Sequence, residues 1–354
     1  MSEMEWSAGK ISNDDFKSLI FERTGRKRQE VITGPQFGVD TSVVDLGNNE
    51  GLVLSSDPLS LIPSLGMKAS AWLSVHLIVN DMATSGFAPQ YAQFVLNLPT
   101  SLSMDLFNEY WKYIHEFCHD IGVSITGGHS SKIEGQHSTV CGGGTMILKA
   151  PLDQILVSSG AQPGSDIIMT KGSGLTATSI LARSFPLHVV ENCGVTVQEK
   201  AAENFYKTSS LKEALLASEL LEPKRELFAM HDATEGGIVG AVYEMAMASG
   251  CGFNLDLDKI LQREEVSEVG KLFAIDPRFC VGAGSMIMSV SSQCTNELIN
   301  GLMEAGIHSC KIGEFTDRKG IFFVSENNQR KEFEPLDSDP YWGAFFQALK
   351  MGLQ

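Results

Sequence analysis

The sequence predicts an α+β protein of two domains. Its 354 residues exceed what one hydrophobic core usually organises, and 43% of them are apolar, which is enough to fill two cores. Strand-like and helix-like segments follow one another without a strict strand-helix-strand rhythm. Because proline, glycine and serine gather between residues 149 and 164, we expect an N-terminal domain over 1–150 and a C-terminal domain over 151–354.

The elements of the N-terminal domain are predicted from apolar spacing. Alternating apolar residues indicate strands, and apolar residues three and four apart indicate helices. In chain order these are strands 39–46 and 52–56, helices 67–85 and 104–121, and strands 123–126 and 138–148. Ser103 is placed to cap the second helix and Gly122 to end it.

The C-terminal domain mixes strands and helices more irregularly. Its predicted strands are 166–170, 227–231, 281–290, 308–313 and 321–325. Its predicted helices are 175–184, 236–249 and 294–305, with more than one helix within about 197–221. A final helix begins at Asp339 and Pro340, a capping residue followed by proline at the first helical position. These elements are expected to form a second sheet with its own helices.

Charge and cysteine usage narrow the function classes. A net charge of -16 repels phosphate backbones, so we expect no nucleic-acid partner. The seven cysteines show no Cys-x-x-Cys spacing, which favours reduced thiols. Glu3 and Glu5 stand where a signal peptide would be basic and then apolar, and no apolar stretch reaches spanning length. The sequence therefore predicts a cytoplasmic protein without a membrane partner.

Three aspartates in the first quarter of the chain indicate metal chemistry. Asp40 and Asp57 lie at strand ends, and Asp81 follows Asn80 inside a helix, where aspartate has little structural reason to appear. Carboxylates gather naturally around Mg²⁺, which prefers oxygen ligands and often holds nucleotide phosphates. An acidic protein that binds ATP needs such a metal between its carboxylates and the polyanion. We therefore expect Mg²⁺ as a cofactor, and an ATP molecule bound here would be held through that metal.

Five motifs occur in an order that resembles a known superfamily, that of aminoimidazole ribonucleotide (AIR) synthetase. It includes the hydrogenase-maturation carbamoyl dehydratase, selenophosphate synthetase and thiamine-monophosphate kinase. The motifs are Gly38-Val39-Asp40-Thr41-Ser42-Val43, Ser56-Asp57, Asn80-Asp81-Met82-Ala83 with Gly86 and Pro89, Gly127-Gly128-His129-Ser130, and His231-Asp232-Ala233-Thr234-Glu235-Gly236-Gly237. The resemblance covers roughly residues 30–320, and the segment 231–250 is most similar to the hydrogenase-maturation branch.

The resemblance implies a fold, an activity and a set of site residues. The fold is the two-domain AIR synthetase-like fold, with a mixed N-terminal sheet and a C-terminal α+β domain. The activity is transfer of a phosphoryl group from Mg-ATP to an amide- or acid-type oxygen, in a homodimer joined through the N-terminal domains. The implied metal ligands are Asp40, Asp57, Asp81 and Asp232, the implied nucleotide contacts are Asp40, Asp57, Asn80, Gly127 and Gly128, and the implied catalytic residues are Asp81 and His129.

Departures from the superfamily leave the substrate open. No cysteine follows Cys310, so the chain lacks the C-terminal cysteine tail of the hydrogenase-maturation enzyme, and a partner-protein cysteine or amide is a candidate acceptor beside a small molecule. Ala233 and Glu235 replace the proline and arginine of that branch. Val39 stands beside Asp40 where the kinase branch has a second aspartate.

Other interpretations stay open from the sequence. The motif Gly172-x-Gly174-x-x-Ala177 lies between a predicted strand and a predicted helix, and strand-like residues 187–190 and Glu191 follow that helix. This order imitates the dinucleotide-binding fingerprint of an NAD-dependent oxidoreductase. The chain could also be a non-catalytic nucleotide-binding or assembly module. Taken singly, Asp40 and Asp57 could bond turn amides, Asp232 could cap a helix, and His231 could be structural.

Overall fold

The computed structural model describes residues 11, 13–21 and 23–354, so Glu3 and Glu5 lie outside the described residues. The strands form two separate mixed sheets, one of six strands and one of seven, and helices pack on both. This arrangement confirms the α+β prediction. The last strand of the six-stranded sheet ends at Pro151, one residue beyond the predicted N-terminal domain, and the first strand of the seven-stranded sheet begins at Asp166.

The first sheet has the strand order β1-β2-β3-β6-β4-β5. Its neighbours are antiparallel except for the parallel pair β4 and β5. The strands are β1 (Val31–Thr33), β2 (Ser42–Gly47), β3 (Glu50–Ser60), β4 (Tyr91–Pro99), β5 (Ser124–Ile133) and β6 (Val140–Pro151). Asn48 and Asn49 both take positive φ angles, of 54° and 60°, in the tight turn between β2 and β3.

The second sheet has the order β13-β12-β9-β11-β7-β10-β8, and only its pair β12 and β9 is parallel. The strands are β7 (Asp166–Thr170), β8 (Leu227–Asp232), β9 (Gly252–Asp256), β10 (Met286–Val290), β11 (Ser309–Thr316), β12 (Phe322–Glu326) and β13 (Gln329–Glu332). The fully buried central strands β7 and β10 carry near-continuous apolar runs, which is why the sequence marks them clearly.

The α-helices are α1 (Asn13–Phe16), α2 (Gly66–Ala83), α3 (Met104–Asp120), α4 (Leu175–Ser184), α5 (Pro186–Cys193), α6 (Val195–Glu203), α7 (Leu211–Leu220), α8 (Gly237–Ser249), α9 (Glu264–Leu272), α10 (Thr295–Glu304) and α11 (Pro340–Lys350). Two of the predicted caps are present. Ser103 Oγ accepts from Leu106 N at 3.2 Å, and Asp339 Oδ1 accepts from Tyr341 N at 2.8 Å. Among the described helices, none is both long enough and apolar enough to cross a bilayer.

Helix α2 joins the two halves of the chain. One side packs on the first sheet and α3, whereas Ala69 and Leu73 belong to a cluster with Ala177 and Leu181 of α4. The apolar stripe in the sequence predicts a helix buried on one side only, but α2 is buried on most sides. The site therefore forms around a helix held by both halves.

Two local predictions are wrong. The strand predicted over 123–126 does not end there, because β5 continues to Ile133 as the edge partner of β4. Residues 187–190 are not a strand but lie in α5, which begins at a proline. The helices predicted within about 197–221 are confirmed as α6 and α7, which are separated by a short 3₁₀ turn and the loop 208–210.

Candidate active site

Four predicted aspartates meet at the junction of the two halves. Asp40 precedes β2, Asp57 lies in β3, Asp81 lies in α2, and Asp232 ends β8. Burial raises the pKa of Asp81 well above its usual range, and the charges of Asp232, Asp57 and Asp40 raise it further. Carboxyl groups from four separate stretches of the chain thus lie close enough to repel one another.

The pleat of β3 aims two side chains at α2. Ser55 and Asp57 are two residues apart, so they share the face that meets the helix, and Ser55 Oγ donates to Asp81 Oδ2 at 2.7 Å. Gly144 pairs with Asp57 across the β3–β6 ladder, and a Cβ there would collide with the side chain of Ile78 in α2. The glycine therefore lets α2 approach the sheet closely enough to bring Asp81 to Asp57.

Asp40 contacts two side chains of the C-terminal half, one of which donates a hydrogen bond to it. Its Oδ2 accepts from Ser158 Oγ at 2.8 Å and lies 2.8 Å from His231 Nδ1. Gly38 has a φ of 73°, and a Cβ there would collide with the backbone of Glu244 in α8. The segment that carries Asp40 consequently lies directly on α8.

His231 belongs to the fifth motif, but the sequence favoured only a structural role for it. It is fully buried; its Nδ1 lies 3.9 Å from Asp232 Oδ1, and its Nε2 lies 3.2 Å from Glu244 Oε2. Burial alone would lower the pKa of His231, but Asp40 and Glu244 outweigh it and raise that pKa to about 10. Its position immediately before Asp232 at a buried strand end is the signal that could have indicated it.

The donor set fits a hard divalent cation. Ligand atoms of Asp40, His231 and Asp232 lie within 4.8 Å of one another, and Asp57 and Asp81 add carboxylate oxygens beside them. Mg²⁺ takes oxygen ligands, and its charge would offset the repulsion that raises the pKa of Asp81.

Asn80 points away from these carboxylates. It is fully buried, its Nδ2 donates to Thr208 O at 2.9 Å, and its Oδ1 accepts from Ser210 N at 2.8 Å. Both ends of the amide thus join α2 to the loop before α7. These two hydrogen bonds give Asn80 a structural role. Within one chain, nothing supports its predicted contact with nucleotide.

Gly127, Gly128 and His129 lie across the first sheet from the carboxylates. Asp57 and Gly128 occupy one row through Gly144 and Phe94, three strand spacings or about 14 Å apart. Gly128 has a φ of 144°, and a Cβ there would collide with the Phe94 carbonyl oxygen, so the strand pairing itself requires this glycine. His129 is exposed, and one chain does not bring it to the aspartates.

Two protein-family models match this chain. The model of the AIR synthase related protein, N-terminal domain, matches residues 38–147, and that of the C-terminal domain matches residues 162–325. The chain belongs to the AIR synthase-related family. The two matches take in most strands of both sheets and include all four aspartates of the site.

Individual members of the AIR synthase-related family are distant in sequence. The carbamoyl dehydratase HypE of Escherichia coli is 23% identical over 250 residues, which are 68% of this chain and 69% of that protein. The selenide, water dikinase of Aeromonas hydrophila is 26% identical over 327 residues, 83% of this chain and 88% of that protein. A crystal structure of the hydrogenase maturation protein HypE in complex with ATP has a TM-score of 0.68 at 18% identity, covering 95% of this chain and 97% of that one.

Proposed function

We propose that this protein transfers a phosphoryl group from Mg-ATP to an amide- or acid-type oxygen of its substrate. The observation that carries the proposal is the convergence of Asp40, Asp57, Asp81 and Asp232 at one junction. Family membership supports it, since relatives include a dikinase and a dehydratase, and the similar HypE crystal structure is a complex with ATP.

The proposed roles follow from position. Phosphoryl transfer depends mainly on positioning and charge neutralisation, and bound Mg²⁺ would supply the positive charge that this acidic site lacks. Asp40, Asp57, Asp81 and Asp232 would hold that ion. Ser55 orients Asp81 through its 2.7 Å hydrogen bond and so fixes one ligand before nucleotide arrives. The junction between the halves would keep water from the reacting phosphate.

We also propose a homodimer formed through the outer face of the first sheet. Large apolar side chains are exposed there, among them Tyr91 at 46% and Val95 at 45%. A patch of this kind on a sheet face is typical of a protein interface. His129 pairs with Val95 across the ladder, so it lies on that same face. In such a dimer, Gly127, Gly128 and His129 would contact nucleotide held by the other copy.

Subunit mixing tests the shared site. We expect Asp81→Asn and His129→Ala each to be nearly inactive alone. After the two variants are mixed and exchanged, about a quarter of wild-type activity should return, because about half of the dimers are mixed and each has one intact site. Activity no higher than that of the parent variants would contradict a site shared between copies.

Turnover separates the enzyme from a non-catalytic module. The enzyme should hydrolyse ATP slowly in a Mg²⁺-dependent manner, and Asp81→Asn should abolish most of this hydrolysis. Binding without turnover in both forms would favour the module. The oxidoreductase alternative requires a second strand at residues 187–190, but these residues lie in α5. Glu191 is therefore in a helix and not at a strand end.

A thermal-shift screen would identify the acceptor. With Mg²⁺ and a nonhydrolysable ATP analogue present, a true acceptor should stabilise the ternary complex by about 2.7 kcal/mol at 100 times its Kd. Small amides and carboxylic acids should be screened beside peptides that end in cysteine. No shift with nucleotide alone would contradict the proposed activity.

A further inference from the structure

Two histidines lie one turn apart near the end of helix α3. They belong to the run His115-Glu116-Phe117-Cys118-His119, and a His-Glu-x-x-His run on a helix is a zinc-binding spacing, because residues four apart share one helix face. The run lies wholly inside α3, so the helix sets the distance between the two side chains. The proposed phosphoryl transfer uses neither histidine.

The pair faces solvent. Each histidine follows a buried residue of α3, Ile114 or Cys118, by one position and is therefore turned about 100° from it around the helix axis. Both histidines are exposed, and the side chain of His119 is 78% exposed. Their rings tilt by 49° to each other, with centroids 6.2 Å apart. An ion can therefore reach both rings from water.

The ring separation is close to what one shared metal ion needs. A tetrahedral Zn²⁺ bonded to one nitrogen of each ring at about 2.0–2.1 Å would hold the two centroids roughly 5 Å apart. From 6.2 Å, the rings need to approach each other by only about 1 Å. Because both side chains are exposed, small rotations of their side-chain torsions bring the rings together without displacing the core.

The surroundings of the pair favour a cation. The carboxylate of Asp120 adds negative charge beside the rings, since its Oδ1 lies 3.8 Å from His119 Nδ1. His119 is also in the last turn of α3, where the aligned peptide dipoles place partial negative charge. Glu116, the residue that would act as a general base in a zinc protease, lies 3.7 Å from Lys112 Nζ.

The pair differs from a catalytic zinc centre in its number of protein ligands, which is commonly three in such a centre. Within the part of the chain that the structure describes, one group of three such residues has all its ligand atoms within 4.8 Å of one another: Asp40, His231 and Asp232, in the candidate active site. The pair on α3 is instead a two-imidazole surface chelate whose coordination water would complete. Imidazole suits Zn²⁺, Ni²⁺ and Cu²⁺, whereas carboxylates suit Mg²⁺.

We propose that His115 and His119 form a binding site for a divalent transition-metal ion on the surface of α3. This site is separate from the Mg²⁺ site proposed for the aspartates. Phe117, two positions from each histidine, points to the opposite side of α3, where its ring packs edge-on against Trp72 of α2 at 5.2 Å. The histidines thus lie on the side of α3 that is turned away from α2, the helix that carries Asp81.

Calorimetric titration of the full chain with Zn²⁺, without nucleotide, tests the site. We expect the wild type to bind one equivalent of Zn²⁺ that is lost in both His115→Gln and His119→Gln, because each substitution removes one of the two ligands. His137→Gln is the matched control, because His137 is exposed and has no histidine three or four positions away. It should keep this equivalent, and so should Asp57→Asn, because Zn²⁺ held by the aspartates is a separate binding event.

Electron paramagnetic resonance of the wild type with one equivalent of Cu²⁺ gives a second readout that needs no variant. Its spectrum should show coupling to two ring nitrogens, and either single variant should show coupling to one. Zn²⁺ binding that is unchanged in either histidine variant, or a wild-type Cu²⁺ spectrum without two coupled nitrogens, would overturn the proposal. Because neither measurement includes nucleotide, their outcome does not depend on the proposed phosphoryl transfer.

Discussion

Replacing Asp81 by asparagine should stabilise the empty protein while abolishing its ligand response. In the folded protein, burial and the charges of Asp232, Asp57 and Asp40 hold the pKa of Asp81 well above its usual value of 3.8. Asparagine removes the ionisable carboxyl group of Asp81 and retains an oxygen that can accept a hydrogen bond from Ser55 Oγ. The substitution therefore relieves repulsion without the loss of a hydrogen bond.

The expected size of the effect is that of a typical stabilising substitution. Such substitutions commonly add about 0.5–2 kcal/mol of stability each. For domains of 150–250 residues, 1 kcal/mol corresponds to about 2–4 °C in melting temperature. With Mg²⁺ and a nonhydrolysable ATP analogue at 100 times Kd, the wild type gains about 2.7 kcal/mol and the variant gains little. The order of the two melting temperatures should therefore invert when ligand is added.

The pH dependence has a defined sign. The unfolded carboxyl of Asp81 ionises above its ordinary pKa of 3.8, whereas the folded one keeps its proton to a higher pH. The unliganded wild type thus loses stability relative to Asp81→Asn as pH rises from about 4 through the folded pKa, and the difference is constant above that.

Thermal denaturation with and without ligand, repeated across this pH range, measures both effects. Asp120→Asn is the matched control, because Asp120 is 72% exposed at the end of α3, and it should change neither melting temperature. A destabilised empty Asp81→Asn, or one that responds to Mg-nucleotide like the wild type, would refute the reasoning.

The remaining predictions concern the scaffold. Asn80→Ala leaves the Thr208 carbonyl without its donor and should cost about 1–3 kcal/mol in urea unfolding. Gly128→Ala should lower the melting temperature because its Cβ would strike the paired strand, whereas Gly127→Ala, which meets only the Gln93 side chain at 3.8 Å, should not. Ser103→Ala removes the cap of α3 and should cost about 1 kcal/mol by the same unfolding measurement; an unchanged value would mean that the cap contributes nothing.

Sequence patterns predicted a helix or strand correctly where its periodicity or capping residues lie within the element itself. The Ser103 cap, the strand Asp166–Thr170 and the helix Leu175–Ser184 are confirmed because periodicity and capping act within a few residues. Residues 187–190 failed because their apolar run fits a strand and a packed helix equally, and tertiary contacts decided between them.

The site shows the same division between local and long-range information. The order of the motifs singled out the four aspartates, which the structure brings to one junction, whereas residue type alone left turn bonding and helix capping as alternatives. The bonds of Asn80 to Thr208 and Ser210 cross about 130 positions of sequence, and no local pattern encodes them. His231 comes within 2.8 Å of Asp40 only because the fold places β8 beside a residue from the other half of the chain.

Binding of a nonhydrolysable ATP analogue, measured by calorimetry with Mg²⁺ and again with excess EDTA, tests the central claim most directly. If Asp40, Asp57, Asp81 and Asp232 hold nucleotide through the metal, the wild type should bind the analogue with Mg²⁺ and lose most of that affinity in EDTA, and Asp57→Asn should bind weakly under both conditions. Affinity that is the same with and without Mg²⁺, or unchanged in Asp57→Asn, would contradict the account.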